Sequence, residues 1–552
     1  MTHAQTLAAL RPASIASSAP SAPSALMAAL AAALVSFGSA AGAPGGPAPA
    51  AAPKPPAGAA GEDPAPDVSG PAVQATNAFG VKLFSLLAGA APAGNVFISP
   101  YSISVALTMA AEGARDATAM EMASVLAFPA AAGEAERPID AVHRGHKWLA
   151  ERFKQAEGAA DDATRSHIEE LRRRLDDANA RARDLQRQNK WDEAGKAAQE
   201  AQKTAQELNT LLPAVDRFQL RSANALWLEK TFRIQPSFTE TVGRYYGGGV
   251  TPVDFKGAPE AARTLINRWV AEQTENRIRD LIPSGGITPM MRLVITNAVY
   301  FRGEWAAPFQ PANTNEQPFT LPDGTTVQVP LMQDHWRGGV SYAAFSADGT
   351  YFKTPMQVPR DESKRPPTYP DAGGFQMIEL PYKGGELAMV VLLPQSQEGL
   401  QRLESRLSAD RLGEWLSRML PRAVDTSIPR FSMEYSCELT EELKRLGMRR
   451  ALTQPPGPEA AEFQGISAGS DPSQQLFIGA ILHKAWVDVS EKGTEAAAAT
   501  AILMPPGAAM APPEVMVPFT PVVRADHPFL FLIRDTRSGV VLFMGRVADP
   551  RG

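Results

Sequence analysis

The pentapeptide "GISAG", Gly465 to Gly469, has the G-x-S-x-G spacing of a nucleophile elbow, and His483, Asp488 and His527 follow it. A serine raised on a sharp turn, a histidine to take its proton and a carboxylate to orient the histidine would together perform acyl transfer through a covalent ester. The surroundings do not support that chemistry. An elbow needs a strand entering the turn and a helix leaving it, whereas "AAEFQ" precedes the motif and "SDPSQQ", with Pro472, follows it. Neither G-x-x-x-x-G-K-[ST] nor H-E-x-x-H occurs, and the single cysteine, Cys437, leaves no pair for a metal or an internal disulfide. The chain is therefore read as a non-enzyme that uses no cofactor and no metal.

A different stretch asks for a different kind of chemistry. "EKGTEAAAAT", residues 491 to 500, follows the alternating "AWVDVS" and runs into "AILMPPGAAMAPPEV". Alanine favours helix, but Gly493 and the "PPG" at residues 505 to 507 bound the run to little over two turns, too short to persist alone. The run is neither committed helix nor committed strand.

The elements around it define the scaffold. With 552 residues and 44% hydrophobic content the chain can bury a large core, and its formal net charge of −5 provides no basic field for nucleic acid. No stretch of eighteen apolar residues free of polar interruption supports a membrane span, so the expected partner is a soluble protein. Residues 1–43 contain "SALMAALAAALVSFGSAAGA", which has the apolar length and small-residue ending of a signal peptide and predicts a secreted or cell-envelope location. Residues 44–72 are Pro/Ala/Gly-rich and too poor in large apolar side chains to fold, which makes them a linker and starts the folded domain at Val73.

Helical spacing marks "AVQATNAFGVKLFSLLA" and "YSISVALTMAAEGA", with the short apolar run "NVFISP" between them. Strand-like runs come later: "RLVITNAVYF", "FQMIELPY", "LAMVVLLP", "LFLIRD" and "GVVLFMGRV". Helices early and strands late predict an α+β fold. Residues 161–211 interrupt this domain. There Ile168, Leu171, Leu175, Ala178, Ala182 and Leu185, then Ala194, Ala198, Ala201, Ala205, Leu208 and Leu212, recur at intervals of three and four, which predicts two antiparallel helices turning near Asn189. Such a hairpin is either a docking arm for a protein partner or a solvated insertion with none.

Five motifs, in order and at the right separations, make the chain resemble the serpins: "NVFISPYSISVAL", "NAVYFRGEW", "IPRFSME" with "LGM", "ILHKAWVDVSEKGTEAAAATA" and "DHPFLFLIRDTRSGVVLFMGRVADP". The resemblance covers about residues 75–150 and 215–550. Residues 335–372 are longer and more polar than the family pattern, so the loops there are not predicted. The resemblance implies early helices on a large mixed β-sheet, further smaller sheets and an exposed reactive-centre loop. It also implies suicide inhibition: a serine protease cuts the loop, and the freed segment inserts into the sheet before the covalent acyl-enzyme hydrolyses. A monomer is expected.

On that reading Thr494, Ala496, Ala498 and Thr500 share the buried face of the inserted strand and Glu495 stays on the solvent face. Glu491 and Gly493 complete the hinge. The resemblance assigns Ser99, Ser102, Asn297 and His483 to a polar cluster controlling sheet opening, Trp305 to the top of the sheet, and Arg430 with Glu491 to an ion pair there. Counting from Glu491 puts Gly507 on the amino side of the scissile bond, whereas counting back from "PPEV" puts Ala509 there, so the bond lies within Gly507, Ala508, Ala509 and Met510. Small and apolar residues suit elastase- or subtilisin-like pockets and offer nothing to a trypsin-like one. The alternative is a non-inhibitory serpin serving as carrier, chaperone or scaffold. Such proteins usually carry Pro, charge or bulk in the inserting face, where this chain has none before Pro505.

Overall fold

The computed structural model describes residues 68–130, 136–156, 162–188, 190–211, 218–336, 339–467, 475–491 and 516–552. The fold is α+β, with helices packed on a large mixed sheet and smaller sheets beside it. Three helices come first: α1 (Gly70–Ala90), α2 (Pro100–Ala111) and α3 (Asp116–Val125). All twelve residues of α2 are buried, as expected of a helix with no polar face. Its start is fixed by Pro100 in the first turn and by Ser99, whose Oγ accepts from the Ser102 N–H.

After them in the chain come α4 (Pro138–Ala156), α7 (Pro236–Tyr246) and α8 (Pro259–Gln273), with α9 (Gly399–Arg406), α10 (Ala409–Ser417) and α11 (Thr440–Leu446) nearer the carboxyl end. Between α4 and the first long strand lie α5 (Asp162–Arg187) and α6 (Trp191–Leu211). These two pair through buried Ile168, Leu171 and Leu208, with Leu175 against them, while Arg181 Nη1 donates to Glu200 Oε2 at 3.3 Å. Asn189 and Leu212 lie outside the described residues.

Eight strands form the sheet order β1 (Val96–Ile98), β19 (Val541–Val547), β18 (Phe529–Asp535), β11 (Leu387–Pro394), β10 (Phe375–Pro381), β7 (Val340–Phe345) and β12 (Leu420–Arg422), with β8 (Tyr351–Phe352) on β7. Every residue of β11 and β19 is buried; β11 reads as an unbroken apolar run, and β19 does so apart from Gly545 and Arg546, whose buried guanidinium pairs with Glu404 and the Gly94 carbonyl. A four-stranded sheet orders β17 (Val522–Arg524), β13 (Asp425–Pro429), β6 (Thr326–His335) and β5 (Asn315–Thr320). A short pair joins β16 (Met516–Pro518) to β9 (Gln357–Pro359).

The mixed sheet has five strands, in the order β14 (Phe431–Glu438), β15 (Ile478–Val489), β4 (Leu293–Gly303), β2 (Phe218–Glu229) and β3 (Val250–Val253). Alternation assigns its two faces. Leu293, Ile295, Val299 and Phe301 of β4 join the main core on the α2 side. Val294 and Ala298 join a second core, with Trp227 of β2 and Ile266 and Val270 of α8. The first nine residues of β4 are buried, because helices cover both faces.

Candidate functional site

β4 and β15 run parallel, side by side, from Leu293↔Ile478 to Phe301↔Val487. Both of their other neighbours, β2 and β14, are antiparallel to them. This parallel pair is a seam: a strand arriving antiparallel to both partners could replace its one ladder with two antiparallel ones, and antiparallel pairing is slightly more stable per residue.

Polar side chains fasten the middle of the seam on the α2 side. His483 and Asn297 face each other in register, and the His483 Nδ1 lies 2.5 Å from Asn297 Oδ1. The Ser99 N–H donates to His483 Nε2 at 3.4 Å. Nε2 is therefore the acceptor, which leaves the proton on Nδ1 to donate to Asn297. Burial holds the imidazole neutral, pushing its pKa down to about 3. The Asn297 amide donates to Ser102 Oγ at 2.6 Å and to Asn224 Oδ1, and Ser102 Oγ also meets Ser222 Oγ at 2.8 Å. Ser99 Oγ donates to the Leu542 carbonyl at 2.7 Å and anchors the cluster to β19. All four residues expected here meet in one network. Ser222 and Asn224 on β2 belong to it as well and went unread in the sequence.

The ladder stops at Phe301 and Val487, and there the seam opens into a cavity of about 280 Å³ lined partly by Trp305, Tyr382, Trp486 and Ser490. Trp305 stacks flat on Tyr382, with centroids 4.6 Å apart, and its Nε1 donates to the Ser490 carbonyl at 2.9 Å. One indole thus ties the ends of β4 and β15. Glu491 follows, its carboxylate 3.8 Å from Arg430 Nη1 in a loose ion pair.

The opposite face carries a strap that was not read in the sequence. Tyr300 and Trp486 are opposed in register across the seam with ring centroids 5.3 Å apart, and the Arg277 guanidinium sits 5.6 Å and 5.5 Å from the two rings. Nearby, Lys484 Nζ donates to the Arg279 carbonyl at 3.1 Å. The segment after α8 is thereby fixed across both strands. At an exposed site each cation–π contact contributes about 0.5–1 kcal/mol. Arg277→Gln is expected to lower the unfolding midpoint of the intact chain by a few degrees and to speed hydrogen exchange of the residue 293–301 amides. Unchanged exchange there would mean that Arg277 does not brace the seam.

The remaining hinge residues, Gly493, Thr494, Ala496, Ala498 and Thr500, and the reactive bond region Gly507, Ala508, Ala509 and Met510 lie outside the described residues. Among the described residues the partners expected of a G-x-S-x-G serine are not assembled. Ser467 is buried just after a turn, His483 is engaged at both nitrogens by the seam cluster, and His527 pairs with Asp526 Oδ1 and the Pro394 carbonyl. Among the described residues no His/Cys/Asp/Glu group is arranged to hold a metal ion, and no helix is long and apolar enough to cross a membrane.

Comparison with known proteins agrees with this geometry. The family model described as serpin (serine protease inhibitor) matches residues 74–550. An uncharacterized serpin-like protein of Thermococcus kodakarensis is 33% identical over 87% of this chain and 86% of its own length. Leukocyte elastase inhibitor A of Rattus norvegicus is 31% identical over 86% of this chain and 98% of its own. The structure of uncleaved ovalbumin superposes with a TM-score of 0.62 at 23% identity, covering 87% of this chain and all of that one, which is a likeness of fold.

Proposed function

Because this chain belongs to the serpin family, we propose that it is a suicide-substrate inhibitor of elastase- or subtilisin-like serine proteases. One observation carries the reading: the parallel β4–β15 seam opens beyond Phe301 and Val487, and Glu491, just past that opening, leads into a run of small residues. β15 runs toward the open end, so a segment turning back after Glu491 would lie antiparallel to both β15 and β4. Thr494 would enter first, and the attached protease would be carried along the sheet while still held as an acyl-enzyme.

The driving force is adequate. About a dozen inserted residues at roughly 1 kcal/mol net per hydrogen bond give a total on the order of ten kcal/mol before apolar burial is added. The uncut chain is then held kinetically, by the fastenings across the seam. Gly507 to Met510 supply a cleavage site for shallow apolar specificity pockets. Residues 1–43 as an export signal and 44–72 as a linker would place the encounter outside the cytoplasm, and the α5–α6 arm, inserted between α4 and β2, stands outside the strands that must part.

Incubation with an elastase or a subtilisin is expected to give a complex that survives denaturing electrophoresis, because the acyl bond is kept from water. Trypsin should be a poor target. Cleavage with full turnover by every such protease would sink the inhibitor reading and favour a carrier or scaffold.

A further inference from the structure

We propose that β9 and β16 form a docking platform for the serine protease that attacks the reactive bond, meeting an apolar rim of that enzyme on the leaving-group side of the cut. The inference rests on the reading that a protease attacks the loop, and it does not depend on trapping.

The first observation is a connection far longer than its topology requires. β7 and β10 are adjacent antiparallel strands, which a hairpin loop of about two to five residues could join, yet residues 346–374 lie between them. This is the stretch that departs from the family pattern. It reaches across to the first described residues after the reactive bond region, where Val358 opposes Val517 and Gln357 opposes Pro518 in an antiparallel pair.

The pair is also firmly held. The Phe519 N–H donates to the Met356 carbonyl at 3.0 Å. Arg422 Nη2 donates to the carbonyls of Pro355 at 3.1 Å and Phe519 at 2.9 Å, joining the two segments, and its guanidinium sits 5.5 Å from the Tyr342 ring centroid. The Val522 N–H donates to Tyr369 Oη at 2.9 Å, and the Tyr369 ring meets Phe519 edge to face with centroids 5.7 Å apart. A surface fixed in this way loses little freedom when a partner binds.

What the frame presents is apolar. Val358 is buried, but Met356 is 66% and Met516 47% exposed, and Pro518 is exposed beside Gln357. Methionine adapts its shape to a partner surface. Position then names the partner. Met516 follows Met510 by six residues and Gly507 by nine, so it lies at most about 22 Å from the first and about 32 Å from the second. A protease domain of about 230 residues has a radius of gyration of about 17 Å, hence a body about 45 Å across, and seated on the bond it comes over β9 and β16. Its interface would bury about 800 Å² on each side, drawn from roughly 20–30 residues, which the bond region alone cannot supply.

The test is the second-order rate constant for attack on the full chain by an elastase and by a subtilisin, read for whichever attacks faster. Met356→Glu, far in sequence from the bond, should slow attack about threefold, and Met356→Glu with Met516→Glu about tenfold. Met356→Leu should keep the parent rate, as should Met120→Glu, at a 68% exposed methionine on α3. Rates unchanged by the double variant would overturn the platform, as would equal slowing by Met120→Glu, equal slowing by Met356→Leu and Met356→Glu, or a loop that neither protease attacks. Full turnover with no trapped complex would sink the inhibitor reading alone, and slowed cleavage of the double variant would then still support the platform.

Discussion

Thr494→Arg is expected to convert this protein from inhibitor to substrate. Thr494 is the first residue that would enter the seam, on the face that becomes buried, and an arginine there must be desolvated at a cost of several kcal/mol. The cost falls at the start of insertion, where delay gives water time to release the protease. Glu495→Arg, on the solvent face, should do far less. The measurement is the number of inhibitor molecules consumed per protease trapped. It should rise many-fold for Thr494→Arg and change little for Glu495→Arg, whereas equal effects would refute the assignment of faces.

The second large effect concerns His483. His483→Phe leaves the Ser99 N–H and Asn297 Oδ1 unpaired in the core, at about 1–3 kcal/mol for each group. The uncut protein should then convert to inserted or polymerised forms on mild heating, visible on a native gel at temperatures the parent tolerates. Acid should act on the same fastening. The folded pKa of His483 is depressed from 6.5 to about 3, so below pH 6.5 the unfolded chain binds the extra proton. The stability contribution is present above 6.5 and is lost as pH falls toward 3, by about 2 kcal/mol at pH 5. His146, depressed by burial in the same direction, adds to the loss. The urea midpoint of the parent should therefore drop between pH 7 and pH 5, and that of His483→Phe should drop less. A parent midpoint flat across this range would mean that the buried imidazole is not neutral.

Much of the scaffold was legible because its elements announce themselves locally. "LAMVVLLP" and "GVVLFMGRV" are strands buried on both faces, and "YSISVALTMAA" is a helix with no polar side. The pairing was less legible. β4 and β15 are separated by α9 to α11 and several strands, and no local signal in "NAVYF" or "HKAWV" brings Tyr300 opposite Trp486. Without that register Arg277 is one exposed cation among many.

Ser222 and Asn224 were missed for a related reason. In "FQLRSANALWLE" they interrupt the apolar alternation of Phe218, Leu220, Leu226 and Leu228, and nothing local shows that their face of β2 meets α2 and the seam cluster. Ser99, Ser102, Asn297 and His483 were found because a family resemblance links distant motifs. Spacing alone would have left each as an ordinary buried polar group.

The central claim is that the seam between β4 and β15 admits the segment that follows Glu491. A crystal structure of the protein cut once between Gly507 and Met510 tests it most directly. The account predicts a six-stranded sheet with Thr494 onward lying antiparallel between the two strands, Thr494, Ala496 and Ala498 buried, and the Tyr300–Trp486 contact broken. A cut chain that keeps β4 paired to β15 from Leu293↔Ile478 to Phe301↔Val487 would contradict it.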